Sequence, residues 1–127
     1  MKKSVCIIDD DEIYQKIVSK MVERSGSFSE AKYFTQSIQA LDYLKNEGSL
    51  TEIVLLDINM PQMDGWQLLR EISENQPAIF QQMSIYIVSS SIAESDREKA
   101  KMFPALKGFI TKPITISKLK EVAENKA

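Results

Sequence analysis

Five times along this chain a short apolar run hands over to apolar positions at helical spacing. That alternation limits the fold more than any single residue does. The runs are 3–8, 29–34, the stretch beginning Ile53-Val54-Leu55-Leu56, 85–88 and 108–111. Between them, Ile13, Ile17, Val18, Met21 and Val22 predict a helix over about 12–24, opened by Asp11 and stopped at Ser25-Gly26. Ile38, Leu41 and Leu44 predict a second helix, capped by Thr35 and ending at Asn46-Glu47-Gly48. Asp64 and Gln67 stand at capping-box spacing ahead of Trp66, Leu68, Leu69 and Ile72. Ser95 and Glu98 repeat that pattern before a short charged helix reaching about Met102, and Thr115 caps a last helix carrying Ile116, Leu119 and Val122. Buried strands need cover on both sides, so the expectation is a doubly wound α/β fold: a five-stranded parallel sheet, right-handed crossovers and helices on both faces. The mixed polarity of 29–34 predicts a strand near the sheet edge. No linker, repeat or low-complexity segment divides residues 1–127, which are expected to form one domain.

Composition narrows the chemistry. With 43% hydrophobic residues and only 4 Gly and 4 Pro, the chain can bury a core. A net charge of -2 supplies no broad basic surface, which argues against nucleic acid or an anionic membrane as the main partner. One cysteine, Cys6, allows no internal disulfide. No apolar stretch reaches the ~20 residues of a membrane helix, and the N-terminal run lacks a signal peptide's apolar region, so the cytoplasm is the expected location. The absence of histidine removes Ser-His-Asp and Cys-His nucleophile pairs and every histidine-ligated metal site.

The chemistry gathers at strand ends. The central run delivers Asp57 into the loop Ile58-Asn59-Met60-Pro61-Gln62-Met63-Asp64-Gly65, the first ends in Asp9-Asp10-Asp11, and the fourth in Ser89-Ser90-Ser91. In open α/β sheets the carboxyl ends of the strands are where ligands collect. If the first and third strands are neighbours, Asp9, Asp10 and Asp57 crowd like charges together, which calls for a proton or a cation. With oxygen donors alone the matching cation is hard, and Mg²⁺ retaining several waters fits best. Ser89 adds a hydroxyl and Lys112, after the fifth strand, a fixed positive charge. These are the parts needed to hold a transferring phosphoryl group, with Asp57 as the nucleophile that becomes an aspartyl phosphate.

Four segments then carry a resemblance: Ile-Ile-Asp-Asp-Asp at 7–11, Leu-Leu-Asp-Ile-Asn-Met-Pro-Gln-Met-Asp-Gly at 55–65, Val-Ser-Ser at 88–90 and Gly-Phe-Ile-Thr-Lys-Pro at 108–113. In this order and spacing the chain resembles the receiver domain of two-component response regulators, over about residues 3–123. The resemblance implies a flavodoxin-like sheet of strand order 2-1-3-4-5. It implies Asp57 as phosphoacceptor, Asp9 and Asp10 as the acidic pair, with Asp10 a direct Mg²⁺ ligand, and the backbone carbonyl of Asn59 as another. Ser89 and Lys112 would contact the phosphoryl group, Pro113 would follow a cis bond, and Phe109 would be the aromatic switch residue. A sensor histidine kinase or histidine phosphotransfer protein would be the donor, a further protein the target, and the molecule a stoichiometric phosphoacceptor rather than an enzyme. The chain departs from the family's usual pattern at Ser90, a second hydroxyl beside Ser89, at Lys107-Gly108 before the switch position, and at Phe103-Pro104.

Plainer readings exist for each part. Three aspartates also make a solvated turn and helix cap, Ser89–Ser91 an ordinary loop, Lys112 a surface lysine and Phe109 a core residue. Trp66, Met60, Met63 and Cys6 read as packing. Two rival functions are a receiver-fold binding module that is never phosphorylated and a small Mg²⁺-dependent phosphatase. Against the phosphatase, position 59 is asparagine where a second acid would serve as general acid.

Overall fold

The computed structural model describes residues 2–47 and 51–124. The described elements run β1 (Lys3–Ile8), α1 (Glu12–Ser25), β2 (Phe28–Phe34), α2 (Ser37–Glu47), β3 (Ile53–Leu56), α3 (Gly65–Asn75), α4 (Pro77–Gln82), β4 (Ser84–Ser89), α5 (Glu94–Ala100), β5 (Leu106–Thr111) and α6 (Ile116–Ala123). All strand pairs are parallel, in the order β2-β1-β3-β4-β5, with the mixed-polarity strand at an edge as expected.

Strand alternation divides the core into two layers. Cys6, Ile8, Val54, Leu56, Ile85 and Ile87 face Leu41 and Leu44 of α2, Leu68, Leu69 and Ile72 of α3 and Phe80 of α4. Val5, Ile7, Ile53, Leu55, Tyr86 and Val88 face Val18 and Val22 of α1 and Leu119 and Val122 of α6. Every residue of β3 is buried, which is why its sequence is apolar without alternation.

Several local expectations change. α4 is a helix that the apolar periodicity does not announce. Pro77 ends α3, then serves as the first residue of a new short helix that buries Phe80, a placement proline favours because its missing N–H is unpaired there anyway. α2 opens at Ser37, with the Gln36 carbonyl accepting from Ala40 N–H, so Thr35 lies outside the cap position. Its expected stop at Gly48 lies outside the described residues. α5 opens after Ala93, not Ser95, because the Asp96 carboxylate accepts the Ala93 N–H at 2.9 Å and the Trp66 indole N–H at 3.2 Å. β5 starts two residues earlier than read. Phe103 is buried between the rings of Trp66 and Phe80, so the unusual Phe103-Pro104 places its aromatic in the core while Pro104 stays exposed.

The largest correction concerns α1. Ile13 and Ile17, part of the apolar spacing that predicts this helix, are exposed, and the face turned to the sheet is Gln15, Val18 and Val22. Gln15 occupies an inward position because its amide nitrogen lies 2.9–3.2 Å from the carbonyls of Ile7, Asp9 and Phe34, tying the ends of β1 and β2 together. The Asp11 cap and the left-handed Gly26 stop stand as read.

Candidate functional site

Parallel pairing sends the carboxyl ends of the strands to one edge of the sheet, and register decides which side chains meet there. Ile8 pairs with Leu56, so Asp9 and Asp57 leave the sheet side by side, with the Asp57 N–H donating to the Ile8 carbonyl at 2.9 Å. Ser89 pairs with Thr111, and the Lys112 N–H donates to the Ser89 carbonyl at 3.0 Å. The Lys112-Pro113 bond is cis.

Asp9 and Asp57 are buried, 2% and 8% exposed, while Asp10 is open to solvent. One carboxylate oxygen from each of the three lies within 4.8 Å of the others. Lys112 answers this charge: its Nζ sits 2.5 Å from Asp9 Oδ2 and 3.8 Å from Asp57 Oδ2. The other oxygen of Asp9 accepts the Asp11 N–H at 2.9 Å. Burial first, and Asp9 second, push the Asp57 carboxyl up to about 6, against the lowering influence of Lys112 and of the Asn59 backbone N–H. Asn59 itself is exposed at the start of the loop.

Ser89 is 1% exposed and turned into its own loop, its hydroxyl donating to the Ser91 carbonyl at 2.9 Å and accepting the Ser91 N–H at 3.3 Å. Ser90 is exposed. Phe109 is half-buried against the α3 side of the core, and the Arg97 guanidinium lies 5.3 Å from its ring centre. The register thus brings Asp9, Asp10, Asp57 and Lys112 together, while Ser89 and Phe109 line the adjoining β4–β5 edge.

The loop after Asp57 depends on one glycine. A Cβ at Gly65 would stand 2.9 Å from the Asp57 carbonyl oxygen and 2.9 Å from Ile58 Cα, both backbone atoms that cannot rotate away. Gly65→Ala is therefore expected to cost about 2 kcal/mol and to shift the Asp57 amide resonance, checked by urea unfolding and a two-dimensional amide spectrum. Wild-type stability in that variant would show that the loop yields freely.

Two residues beside the site were not singled out by sequence. Tyr14 presents its ring 4.4 Å from Lys112 Nζ, and Gln15 ties down the strand end carrying Asp9. Neither carries a motif. Tyr14 reads as one more helix residue until the fold brings the end of β5 against the first turn of α1.

Comparison with known proteins agrees with this geometry. The profile of the response regulator receiver domain matches residues 5–124. A segment of hybrid signal transduction histidine kinase L of Dictyostelium discoideum is 31% identical over 93% of this chain, which spans 7% of that protein. The polar-differentiation response regulator DivK of Brucella ovis is 22% identical over 98% of this chain and 96% of its own length. The chain thus spans only a small part of some relatives and nearly all of others. A two component response regulator from Cytophaga hutchinsonii superposes with a TM-score of 0.85 at 24% identity, covering 99% of this chain and 98% of that one. The receiver domain of sensor histidine kinase PA1611 from Pseudomonas aeruginosa shares the fold at a TM-score of 0.80 and 17% identity, over 98% and 97% of the two chains, and its structure is described with a magnesium ion coordinated in the active site cleft. With a flavodoxin-like sheet of order 2-1-3-4-5, an acidic cluster at its carboxyl edge and a profile match across nearly its whole length, this chain belongs to the response regulator receiver domain family of two-component signalling.

Proposed function

We propose that the protein is a phosphoacceptor switch in which Asp57 takes a phosphoryl group from a phosphohistidine of a sensor histidine kinase or histidine phosphotransfer protein. The observation that carries this reading is a buried carboxylate, Asp57, held between two further acids and one lysine at the carboxyl edge of the sheet. An Asp57 Oδ attacks phosphorus as the P–N bond breaks, and the histidine nitrogen leaves with the electron pair and takes a proton from solvent. Three carboxylate oxygens within 4.8 Å of one another, hard donors with no sulfur or imidazole among them, fit Mg²⁺. Asp9, Asp10, Asp57 and the Asn59 carbonyl would hold it. When bound, it supplies positive charge to the phosphoryl oxygens.

The chain's own residues do the rest. Lys112 exchanges Asp9 for a phosphoryl oxygen, and Ser89 exchanges the Ser91 carbonyl for another. Drawing Ser89 inward moves the 89–91 loop and alters the packing of Phe109 under Arg97, which presents a changed face to a downstream protein. Ile13, 73% exposed beside Asp10 on the rim, is placed to meet an apolar face of the donor. Residues 1–127 act in this reading as one receiver unit in the cytoplasm, a stoichiometric acceptor rather than a turnover enzyme.

The test is intact-protein mass spectrometry after incubation with Mg²⁺ and acetyl phosphate. One Mg²⁺-dependent phosphoryl adduct is expected on the wild type and none on Asp57→Asn. An adduct that persists in Asp57→Asn would move the acceptor elsewhere, and no adduct on the wild type would favour a binding module that works without phosphate.

A further inference from the structure

We propose that Tyr14 is the positioning residue for Lys112: its ring face holds the ammonium at the mouth of the acidic site while Lys112 passes from Asp9 to the incoming phosphoryl group. The inference rests on the reading of Asp57 as phosphoacceptor and of Lys112 as its phosphoryl contact.

Lys112 ends a flexible four-carbon stem, and Asp9 and Asp57 are the carboxylates that hold its Nζ. Both of those partners change role when the site is loaded, since they become cation donors and phosphoryl acceptor. The third contact does not. The Tyr14 ring centre lies 4.4 Å from Lys112 Nζ, well inside the ~6 Å over which an aromatic face attracts a cation, and it needs neither carboxylate. The ring is itself anchored. The Asp11 carboxylate accepts the Tyr14 N–H at 3.0 Å, which seats Tyr14 in the first turn of α1, and the side chain packs against the apolar layer between the sheet and α1/α6. Helical side chains lean toward the N-terminus of their helix, which here is the direction of the site.

The hydroxyl is not what Lys112 meets. The Lys112 Nζ lies 4.4 Å from the ring centre, and the attraction there is to the ring face, which does not require the oxygen. A phenylalanine should therefore do the same work, whereas an aliphatic side chain of similar bulk should not.

Two measurements test the proposal. In cation-free protein, the Lys112 ε-methylene proton resonances are expected upfield of the other lysines through the ring current of residue 14, in the wild type and in Tyr14→Phe, and to lose that displacement in Tyr14→Leu. With Mg²⁺ and acetyl phosphate, Tyr14→Leu is expected to be labelled about tenfold more slowly than wild type. Tyr14→Phe is expected to recover most of the rate. In a Lys112→Gln background, Tyr14→Leu is expected to cause no additional slowing, because the ring acts through the lysine. An unshifted Lys112 resonance in the wild type, a Tyr14→Leu rate equal to wild type, or the same extra loss in the Lys112→Gln background each overturns the assignment. A wild type that takes no label sinks the phosphoacceptor reading instead, and the resonance comparison still decides whether Tyr14 holds Lys112.

Discussion

Replacing Lys112 by glutamine is expected to destabilise the cation-free protein by about 3 kcal/mol near pH 8. Asp9 is 2% exposed and Asp57 8%, and Lys112 is the cation paired with both. Removing it leaves two desolvated carboxylates facing each other, and breaking a buried pair from one side costs more than the pair contributes as a whole. The loss should shrink as pH falls toward about 6, because without Lys112, which lowers the Asp57 pKa, the variant's Asp57 accepts its proton above that value and the repulsion drops. Millimolar Mg²⁺ should restore part of the stability above that pH by binding the folded acids but not the unfolded chain. Urea unfolding at pH 5 and 8, with EDTA or with Mg²⁺, checks all three arms. An unchanged midpoint at pH 8 in EDTA would mean that another group balances the acids.

Asp57→Asn is expected to act in the opposite direction while removing phosphoryl uptake. The folded protein holds the Asp57 proton up to about pH 6, whereas the unfolded chain releases it near 3.8. Between those values the native state binds more protons than the unfolded state, so stability falls as pH rises through the window. At pH 8 without Mg²⁺ the ionised carboxylate therefore costs about 2–3 kcal/mol relative to its protonated form. Asparagine, neutral at every pH, avoids that cost. The variant should be more stable than wild type at pH 8 in EDTA, and the two should converge toward pH 4. Unfolding curves across that range decide the matter, and parallel profiles for the two proteins would show that Asp57 does not titrate high. Combined with Lys112→Gln, Asp57→Asn should recover part of the lost stability, since it removes one of the two carboxylates left unpaired.

Both expectations come from one feature of the site, an excess of buried negative charge, and that excess was legible early. Asp9, Asp10 and Asp57 each follow an apolar run, and alternating strands and helices leave parallel strands whose ends share an edge. What could not be read was the balance of that charge. Lys112 was visible as a residue, but its preference for Asp9 over Asp57, and its seat against Tyr14, depend on how β5 ends beside α1. Ser89 was likewise visible, although its bond to Ser91 is a property of the loop's course.

The same division runs through the fold. Local chemistry determined the elements that have local causes: the Asp11 cap, the Gly26 stop, the Asp64-Gln67 box and the all-apolar β3. Hydrogen bonds within a turn and the period of an apolar face depend on neighbours in sequence, so sequence suffices for them. It misplaced elements whose causes are distant. The face of α1 turned away from Ile13 and Ile17 because Gln15 meets the carbonyls of Ile7 and Phe34, and α5 opened early because Asp96 meets Trp66 across the chain. A buried polar side chain is stable only where its partners are, and those partners are chosen by tertiary packing. Sequence by itself determined the alternation, the sheet and the acids at its edge. The structure alone decided that Lys112 sits closer to Asp9 than to Asp57 and that the Tyr14 ring lies beside it, because both depend on contacts between residues far apart in the chain.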